Sequence, residues 1–138
     1  RKERVQIGPG AIAMIERGLE IPTDYARERK AFGKAVIDSQ NPQLKRAELK
    51  TEATIGRVFY NDCVARHIDG GLDPVTASMA KYWLSDLQGK VVDECLQLHG
   101  GYGYMNEYPI ARMFRDARVQ RIYGGTNEIM KLLIGRSL

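Results

Sequence analysis

The sequence has 138 residues, of which 43% are hydrophobic and 28% charged, and a formal net charge of +4. This size and composition are typical of one globular domain. The basic residues are spread along the chain, so the charge favours a solvated surface over nucleic-acid binding. No apolar run approaches the roughly 20 residues of a membrane-spanning helix, and no signal peptide is visible.

The first predicted helix runs from Lys2 to about Glu28. Its apolar residues recur at helical intervals: Ile12, Ile15, Leu19 and Ala26. Pro22 lies inside this pattern, and an interior proline costs about 3 kcal/mol because it removes a backbone hydrogen bond. The sequence therefore predicts a helix that is kinked or broken at Pro22.

A loop over residues 29–39 precedes a second predicted helix, which opens at Asn41-Pro42 and extends to about Ile68. Gly70-Gly71 is expected to end it. The apolar residues assigned to one face are Leu44, Ala47, Ile55, Val58, Phe59 and Cys63.

The third predicted helix has clear start signals, with Asp73 as N-cap and Pro74 at the first helical position. Residues spaced three or four apart predict a buried stripe: Met79, Ala80, Trp83, Leu87, Val91, Cys95 and Leu98. Three long amphipathic helices with short loops and no strand-like alternation predict an all-α, antiparallel up-and-down helical bundle.

Two glycine pairs, Gly100-Gly101 and Gly124-Gly125, flank a short predicted helix over residues 110–115. A last helix is predicted from Thr126 to Arg136, with the Thr126 hydroxyl as N-cap. Glycines before a helix start leave N–H groups free for an anionic oxygen, although such pairs are more often simple turns or caps.

The remaining reactive residues favour structural roles. Cys63 and Cys95 lie on apolar stripes and are interpreted as buried thiols rather than a disulfide. His67 has no partner at metal-ligand spacing, and no metal site is expected. His99 could act as a general acid, but hydrogen bonding at a helix C-terminus is favoured.

The order of the motifs is more specific than any one of them. The string QLHGGYGYMNEYP, followed by FRDARVQRIYGGTNEI, resembles the C-terminal signature of the acyl-CoA dehydrogenase family. RERKAFGK at residues 27–34 and SMAKYW at residues 78–83 are similar to segments of the same family. The resemblance implies that residues 1–138 are the C-terminal helical domain of a larger enzyme. It also implies that Tyr102, Tyr104 and Tyr108 are packing aromatics.

The resemblance also implies an FAD cofactor, an acyl-CoA thioester substrate and a trans-2-enoyl-CoA product. The residues that it assigns to FAD are Arg29, Phe32, Gln40, Gln97, Gly100, Gly101, Thr126 and Glu128. Arginine would provide directed hydrogen bonds to the pyrophosphate, and glycines would permit close approach of the main chain. Much of this set acts on the neighbouring subunit's FAD in related enzymes, which implies a homodimer or homotetramer.

The catalytic base is a glutamate at the position of Gly124 in many members of this family, and glycine cannot abstract a proton. The long-chain and isovaleryl branches instead take the base from the first helix of this domain, from a glutamate directly before an arginine. By this resemblance Glu3 is the predicted base, and Arg4, Tyr123 and Gly125 are substrate-binding residues. The structural alternatives are a solvated carboxylate in the first helical turn for Glu3 and a surface cation for Arg4.

The resemblance further implies that an electron-transferring flavoprotein accepts the electrons. A bacterial cytoplasm or a mitochondrial matrix is the expected location. The alternative function is a non-catalytic helical module that oligomerises or donates an FAD half-site to an active partner. The chain length or branching of the acyl group is not encoded in these residues.

Overall fold

The computed structural model describes the backbone of residues 2–31, 34–35 and 40–138, with side chains from residue 8 onward except those of residues 22–23, 26–27, 30–31 and 34–35. The α-helices in this part of the chain are α1 (Lys2–Glu28), α2 (Gln40–Ile68), α3 (Pro74–His99), α4 (Pro109–Arg118) and α5 (Asn127–Gly135). Short 3₁₀ turns occupy Gly100–Tyr104 and Val119–Arg121. Two strands of two residues, β1 (Lys30–Ala31) and β2 (Lys34–Ala35), pair antiparallel. The predicted all-α class is confirmed.

Contacts between the long helices show how they run. The contacts of α2 join Gly8 with Tyr60, Glu16 with Arg57, Lys45 with Glu94, and Glu52 with Lys90. Residue numbers rise along one helix as they fall along the other, so α2 is antiparallel to both α1 and α3.

Gln88 donates to the Met14 sulfur, and Tyr25 stacks on His99, so α1 and α3 run parallel. The predicted up-and-down bundle is therefore confirmed.

Helix α3 forms the centre of the core. Val91 and Val92 are fully buried in it, and the predicted stripe is buried or half-buried along its length. The predicted start is confirmed, because the Asp73 carboxylate accepts a hydrogen bond from the Thr76 N–H at 2.8 Å. Hydrogen bonds from Thr76, its side chain above all, hold the pKa of Asp73 below its ordinary value.

The face predicted to be apolar on α2 is wrong at most positions. Ile55 and Val58 are 55% and 65% exposed, and Leu44 and Ala47 are exposed as well. The buried residues are instead Leu49, Ala53, Gly56 and Cys63. The reason is close packing: a Cβ atom at Gly56 would lie 3.2 Å from side-chain atoms of Trp83 and Leu87. Apart from Leu49, the residues that α2 buries are small, so a search for large apolar residues selects the other face.

Of the two outcomes predicted at Pro22, a kink or a break, the break is wrong, because α1 continues through this position. The helix is packed against α3 on both sides of this position. Gly18 faces Val91 and Val92, and the Tyr25 ring stacks on His99 at 4.4 Å between centroids. Tertiary contacts of this kind outweigh a local propensity cost of about 3 kcal/mol.

Cys63 and Cys95 are free and buried, as predicted. Burial raises the pKa of Cys95 to about 12, which makes its thiol unreactive. None of the helices in the described part of the chain is long and apolar enough to cross a membrane. The side chains described by the structure include no group of three or more His, Cys, Asp or Glu residues placed to hold a metal ion.

Candidate functional site

The start of α5 is a glycine turn followed by a capped helix. Gly124 and Gly125 have φ angles of 67° and 91°, which residues with side chains rarely adopt. The Thr126 hydroxyl accepts a hydrogen bond from the Ile129 N–H at 3.4 Å, so the predicted N-cap is confirmed. Glu128 is exposed, and its carboxylate forms hydrogen bonds with its own backbone N–H and with the Thr126 hydroxyl. These hydrogen bonds lower the pKa of Glu128. This helix start presents N–H groups and a positive dipole end to the surface.

A group of buried polar side chains lies directly beneath this turn. Lys81 is 1% exposed, and its Nζ donates at 2.7 Å both to the Gly125 carbonyl and to Asn127 Oδ1. Asn127 Nδ2 donates to Ser85 Oγ and to Asp86 Oδ1, each at 2.9 Å. We call Lys81, Ser85, Asn127 and the Gly125 carbonyl the Lys81 network. Burial is the main cause that lowers the pKa of Lys81.

Beside the start of α5, a cleft of about 400 Å³ carries charges of both signs. Its lining includes Asp86, Arg118, Arg121, Thr126, Glu128 and Lys131. Asp86 lies 3.3 Å from Arg121 Nε and 3.9 Å from Lys131 Nζ. The predicted cofactor residues Thr126 and Glu128 therefore face a polar, solvent-accessible surface.

A second polar surface lies at the other end of α3. Arg29 Nη1 donates to the His99 carbonyl at 3.0 Å, and the same guanidinium lies 3.1 Å from the position of a Cβ atom at Gly100. His99 is buried, and its Nδ1 is 2.8 Å from the Cys95 carbonyl oxygen. The prediction of helix C-terminal hydrogen bonding by His99 is confirmed.

Aromatic rings surround this helix end. Tyr102 and Tyr108 have centroids 5.3 Å apart, and both pack against Tyr25. The prediction of packing aromatics holds for these two residues and is wrong for Tyr104, which is 89% exposed. Gln97 and Gly101 are exposed here, and a Cβ atom at Gly101 would meet nothing within 4 Å. Free surface is therefore available beside the residues predicted to contact FAD.

The predicted cofactor residues whose contacts the structure describes thus form two groups and not one. Arg29, Gln97, Gly100 and Gly101 lie at the end of α3, whereas Thr126 and Glu128 lie beside Lys81 near its start. Lys81 and His99 both belong to α3, and at about 1.5 Å per residue the helix separates them by about 27 Å. Within one chain, the fold does not bring these groups together.

The other predicted residues are placed only in part. Phe32 and the side chains of Glu3 and Arg4 lie outside the described residues, and Gln40 is the exposed first residue of α2. Glu3 belongs by its backbone to the first turn of α1. Because α1 runs parallel to α3, that turn lies at the end of the bundle where α3 begins. The Gly124-Gly125 turn lies at this same end.

The Lys81 network is the feature that our prediction from the sequence missed. The motif SMAKYW contributes only to the family resemblance, and the predicted buried stripe does not include Lys81. A signal was present, since Ala77, Lys81, Leu84 and Gln88 recur at intervals of three or four and are all buried in α3.

Both the sequence and the structure of this helical bundle match those of one family. The family model for the acyl-CoA dehydrogenase C-terminal domain matches residues 1–138. The chain belongs to the acyl-CoA dehydrogenase family, as its C-terminal domain.

Individual relatives agree over almost the whole chain. The long-chain specific acyl-CoA dehydrogenase of Rattus norvegicus mitochondria is 53% identical over 99% of this chain and 32% of its own length. An acyl-CoA dehydrogenase structure from Geobacillus kaustophilus superposes with a TM-score of 0.95 at 41% identity, covering 98% of this chain and 36% of that one. The structure of butyryl-CoA dehydrogenase from Megasphaera elsdenii superposes with a TM-score of 0.93 at 33% identity, covering 97% of this chain and 35% of that one. The chain spans about a third of the length of the relatives it matches.

Proposed function

We propose that the protein to which this domain belongs is an FAD-dependent acyl-CoA dehydrogenase that converts an acyl-CoA thioester to the trans-2-enoyl-CoA. One observation carries the assignment of the base within this domain. The turn before α5 has glycine at position 124, while the first turn of α1, which contains Glu3, lies at the same end of the bundle. A base from α1 could therefore serve a substrate held against this turn.

The described residues fit FAD as a ligand bound at a surface. Gly101 leaves open space beside the main chain, and Gln97 and Arg29 are exposed next to it. At the other surface, the N-terminus of α5 and the Thr126 side chain suit a negatively charged or polar group. We assign Arg29, Phe32, Gln40, Gln97, Gly100 and Gly101 to one FAD contact surface, and Thr126 and Glu128 to the other.

When bound, FAD would supply the acceptor for the hydride that leaves the β-carbon of the substrate. The residues of this chain would hold and activate the acyl-CoA. Glu3 takes the α-proton as a carboxylate, Arg4 fixes the region around it, and Tyr123 and Gly125 contact the acyl-CoA. A general base works best when its pKa is near the operating pH, and exclusion of water by substrate and flavin raises a carboxylate pKa toward that range.

The distance between the two FAD surfaces supports an oligomer. Surfaces about 27 Å apart on one helix can contribute to two different FAD sites when subunits pair. We therefore propose a homodimer or homotetramer in which this domain contacts the cofactor of its own subunit and of a neighbour. An electron-transferring flavoprotein is the proposed electron acceptor, in a bacterial cytoplasm or a mitochondrial matrix.

The same distance also favours a second candidate, a non-catalytic module that oligomerises and donates an FAD half-site to an active partner. The two candidates make opposite predictions for the full-length protein. Anaerobic titration of FAD-containing full-length protein with a panel of acyl-CoAs of different length and branching should bleach the flavin absorbance. Absence of bleaching with every acyl-CoA, in protein shown to contain FAD, favours the module.

The base is tested by Glu3→Gln in the full-length protein. This substitution keeps size and hydrogen bonding but removes the basic oxygen, so flavin reduction should slow by at least about a hundredfold. The FAD content should be unchanged. Adding Gly124→Glu should restore part of the rate if both positions reach the same α-carbon. Reduction of the Glu3→Gln flavin at the wild-type rate would show that the base lies elsewhere.

A further inference from the structure

Lys81 is an unusual residue for the centre of a helical bundle. It is 1% exposed, and its two acceptors, Gly125 O and Asn127 Oδ1, are neutral oxygens. Burying an ammonium group is costly unless its hydrogen bonds are supplied. The two short bonds to the start of α5 offset this cost, so the position of that segment and the burial of Lys81 depend on each other.

The segment that Lys81 contacts needs external support. Gly124 and Gly125 both have positive φ angles, and adjacent glycines lose more conformational freedom on folding than other residues do. The Thr126 cap organises the helix on one side of the turn, but it makes no bond to the Gly125 carbonyl. Within the described residues, that carbonyl accepts its hydrogen bond from Lys81, a residue 44 positions earlier in the chain.

Asn127 connects this contact to the rest of α3. Its Nδ2 donates to the Tyr82 carbonyl at 3.2 Å as well as to Ser85 and Asp86. Asn127 is also the first residue of α5. The start of α5 is thus attached to one full turn of α3, from Lys81 to Asp86, through buried hydrogen bonds.

We propose that the Lys81 network sets the backbone of the Gly124-Gly125 turn and the direction of α5, which makes Lys81 a positioning residue for the segment that contacts acyl-CoA and FAD. The catalytic consequence rests on the proposed function, whereas the structural one does not. Lys81 is a positioning residue and not a catalytic one, because its side chain is covered by protein and reaches the site only through Gly125 and Asn127.

Hydrogen exchange in the full-length protein tests the structural part. Lys81→Met removes the ammonium and keeps an unbranched chain of similar length. The hydrogen-bonded amides at the start of α5, those of Ile129 and Met130, should exchange at least about tenfold faster, because local opening of this segment becomes easier. Lys90→Met is the matched control, since Lys90 is an exposed lysine of the same helix that pairs with Glu52. It should leave the exchange of these amides unchanged.

The location of the effect distinguishes positioning from general stability. Amides near His99, at the other end of α3, should keep their wild-type exchange in Lys81→Met. Equal acceleration at both ends, or no acceleration at Ile129 and Met130, would overturn the proposal. If Lys81→Met does not fold, Asn127→Ala removes one Lys81 acceptor, and the same local pattern is expected. If both variants fail to fold while Lys90→Met folds, the network serves the core in general and the proposal is wrong.

Flavin reduction tests the catalytic part. With FAD bound and saturating acyl-CoA, Lys81→Met should reduce its flavin roughly ten- to a hundredfold more slowly, since small misplacements of a site carry penalties of this size. The control variant Lys90→Met should match the wild type in both its FAD content and its rate of flavin reduction. A wild-type rate in a Lys81→Met variant that shows the local exchange effect would overturn the catalytic role. If no acyl-CoA reduces the wild-type flavin, the proposed function fails, and hydrogen exchange alone still decides the structural claim.

Discussion

The two ends of α3 carry the two groups of proposed cofactor residues, but they are stabilised in different ways. At the α5 end, Lys81, Ser85 and Asn127 form buried hydrogen bonds beneath the surface that faces the ligand. At the other end, the His99 ring stacks on Tyr25, and the exposed Arg29 bonds to the last carbonyl of the helix. One end depends on polar groups that satisfy one another, the other on aromatic packing.

This difference indicates how each surface tolerates change. Polar groups in a buried network depend on one another, because loss of one member leaves the rest desolvated and unpaired. Aromatic packing is less directional, and each contact can be lost with a smaller penalty. The α5 end should therefore be sensitive to substitutions beneath its surface. The other end should be sensitive mainly where neighbouring atoms leave no room for an added side chain.

The largest difference is expected between Asn127→Leu and His99→Leu, which each replace one buried polar residue by an apolar one of comparable size. Asn127→Leu removes an acceptor of Lys81 and the amide group that donates to Tyr82, Ser85 and Asp86 of α3, and should cost about 3 kcal/mol or more. His99→Leu should cost about 1 kcal/mol, because it removes the stacking and the Nδ1 hydrogen bond, while the Cys95 carbonyl stays within the helix ladder. Denaturant unfolding of the full-length variants measures both values. Equal losses of unfolding free energy in the two variants would contradict the contrast between the two ends.

An intermediate effect is expected from Gly103→Ala, at the aromatic end. A Cβ atom at Gly103 would lie 2.5 Å from the Leu96 carbonyl oxygen and 3.0 Å from the His99 Cβ. Because the backbone must move, the variant should lose about 2 kcal/mol of stability. Gly101→Ala is its control, since a Cβ atom there meets nothing within 4 Å. Unfolding of the apoproteins should show a change within about 0.5 kcal/mol for Gly101→Ala.

Gly101→Ala also separates stability from cofactor binding. If Gly101 borders FAD, its new methyl group should weaken FAD retention although the apoprotein is as stable as the wild type. Retention of FAD is measured from flavin absorbance after extensive dialysis. Undiminished FAD retention in Gly101→Ala would remove this residue from the proposed contact surface.

The smallest effect should come from Asp73, which caps α3 ahead of the Lys81 network. Its folded pKa is below the ordinary value of 3.8, so its charge stabilises the fold above that pH, and the contribution disappears as pH falls through the folded pKa. Asp73→Asn keeps a capping side chain without the charge. Its melting temperature should be slightly below the wild type at neutral pH, and the difference should narrow progressively below pH 3.8. A difference independent of pH would exclude the charge as its cause.

Local rules in the sequence determined much of this molecule. Asp73 with Pro74, and Thr126 behind its glycines, mark helix starts because a short side chain can satisfy free N–H groups within one turn. The α3 stripe was predictable because the pattern repeats over many turns of a single helix. The family and the set of proposed site residues also follow from the order of motifs along the chain.

The tertiary structure decided the features that join distant segments. Which face of α2 is buried depended on close approach at Gly56, and the continuity of α1 through Pro22 depended on packing against α3. The burial of Lys81 depended on acceptors 44 and 46 residues away. A sequence pattern reports the preferences of neighbouring residues, whereas these outcomes are set by the free energy of groups that meet only after the helices pack.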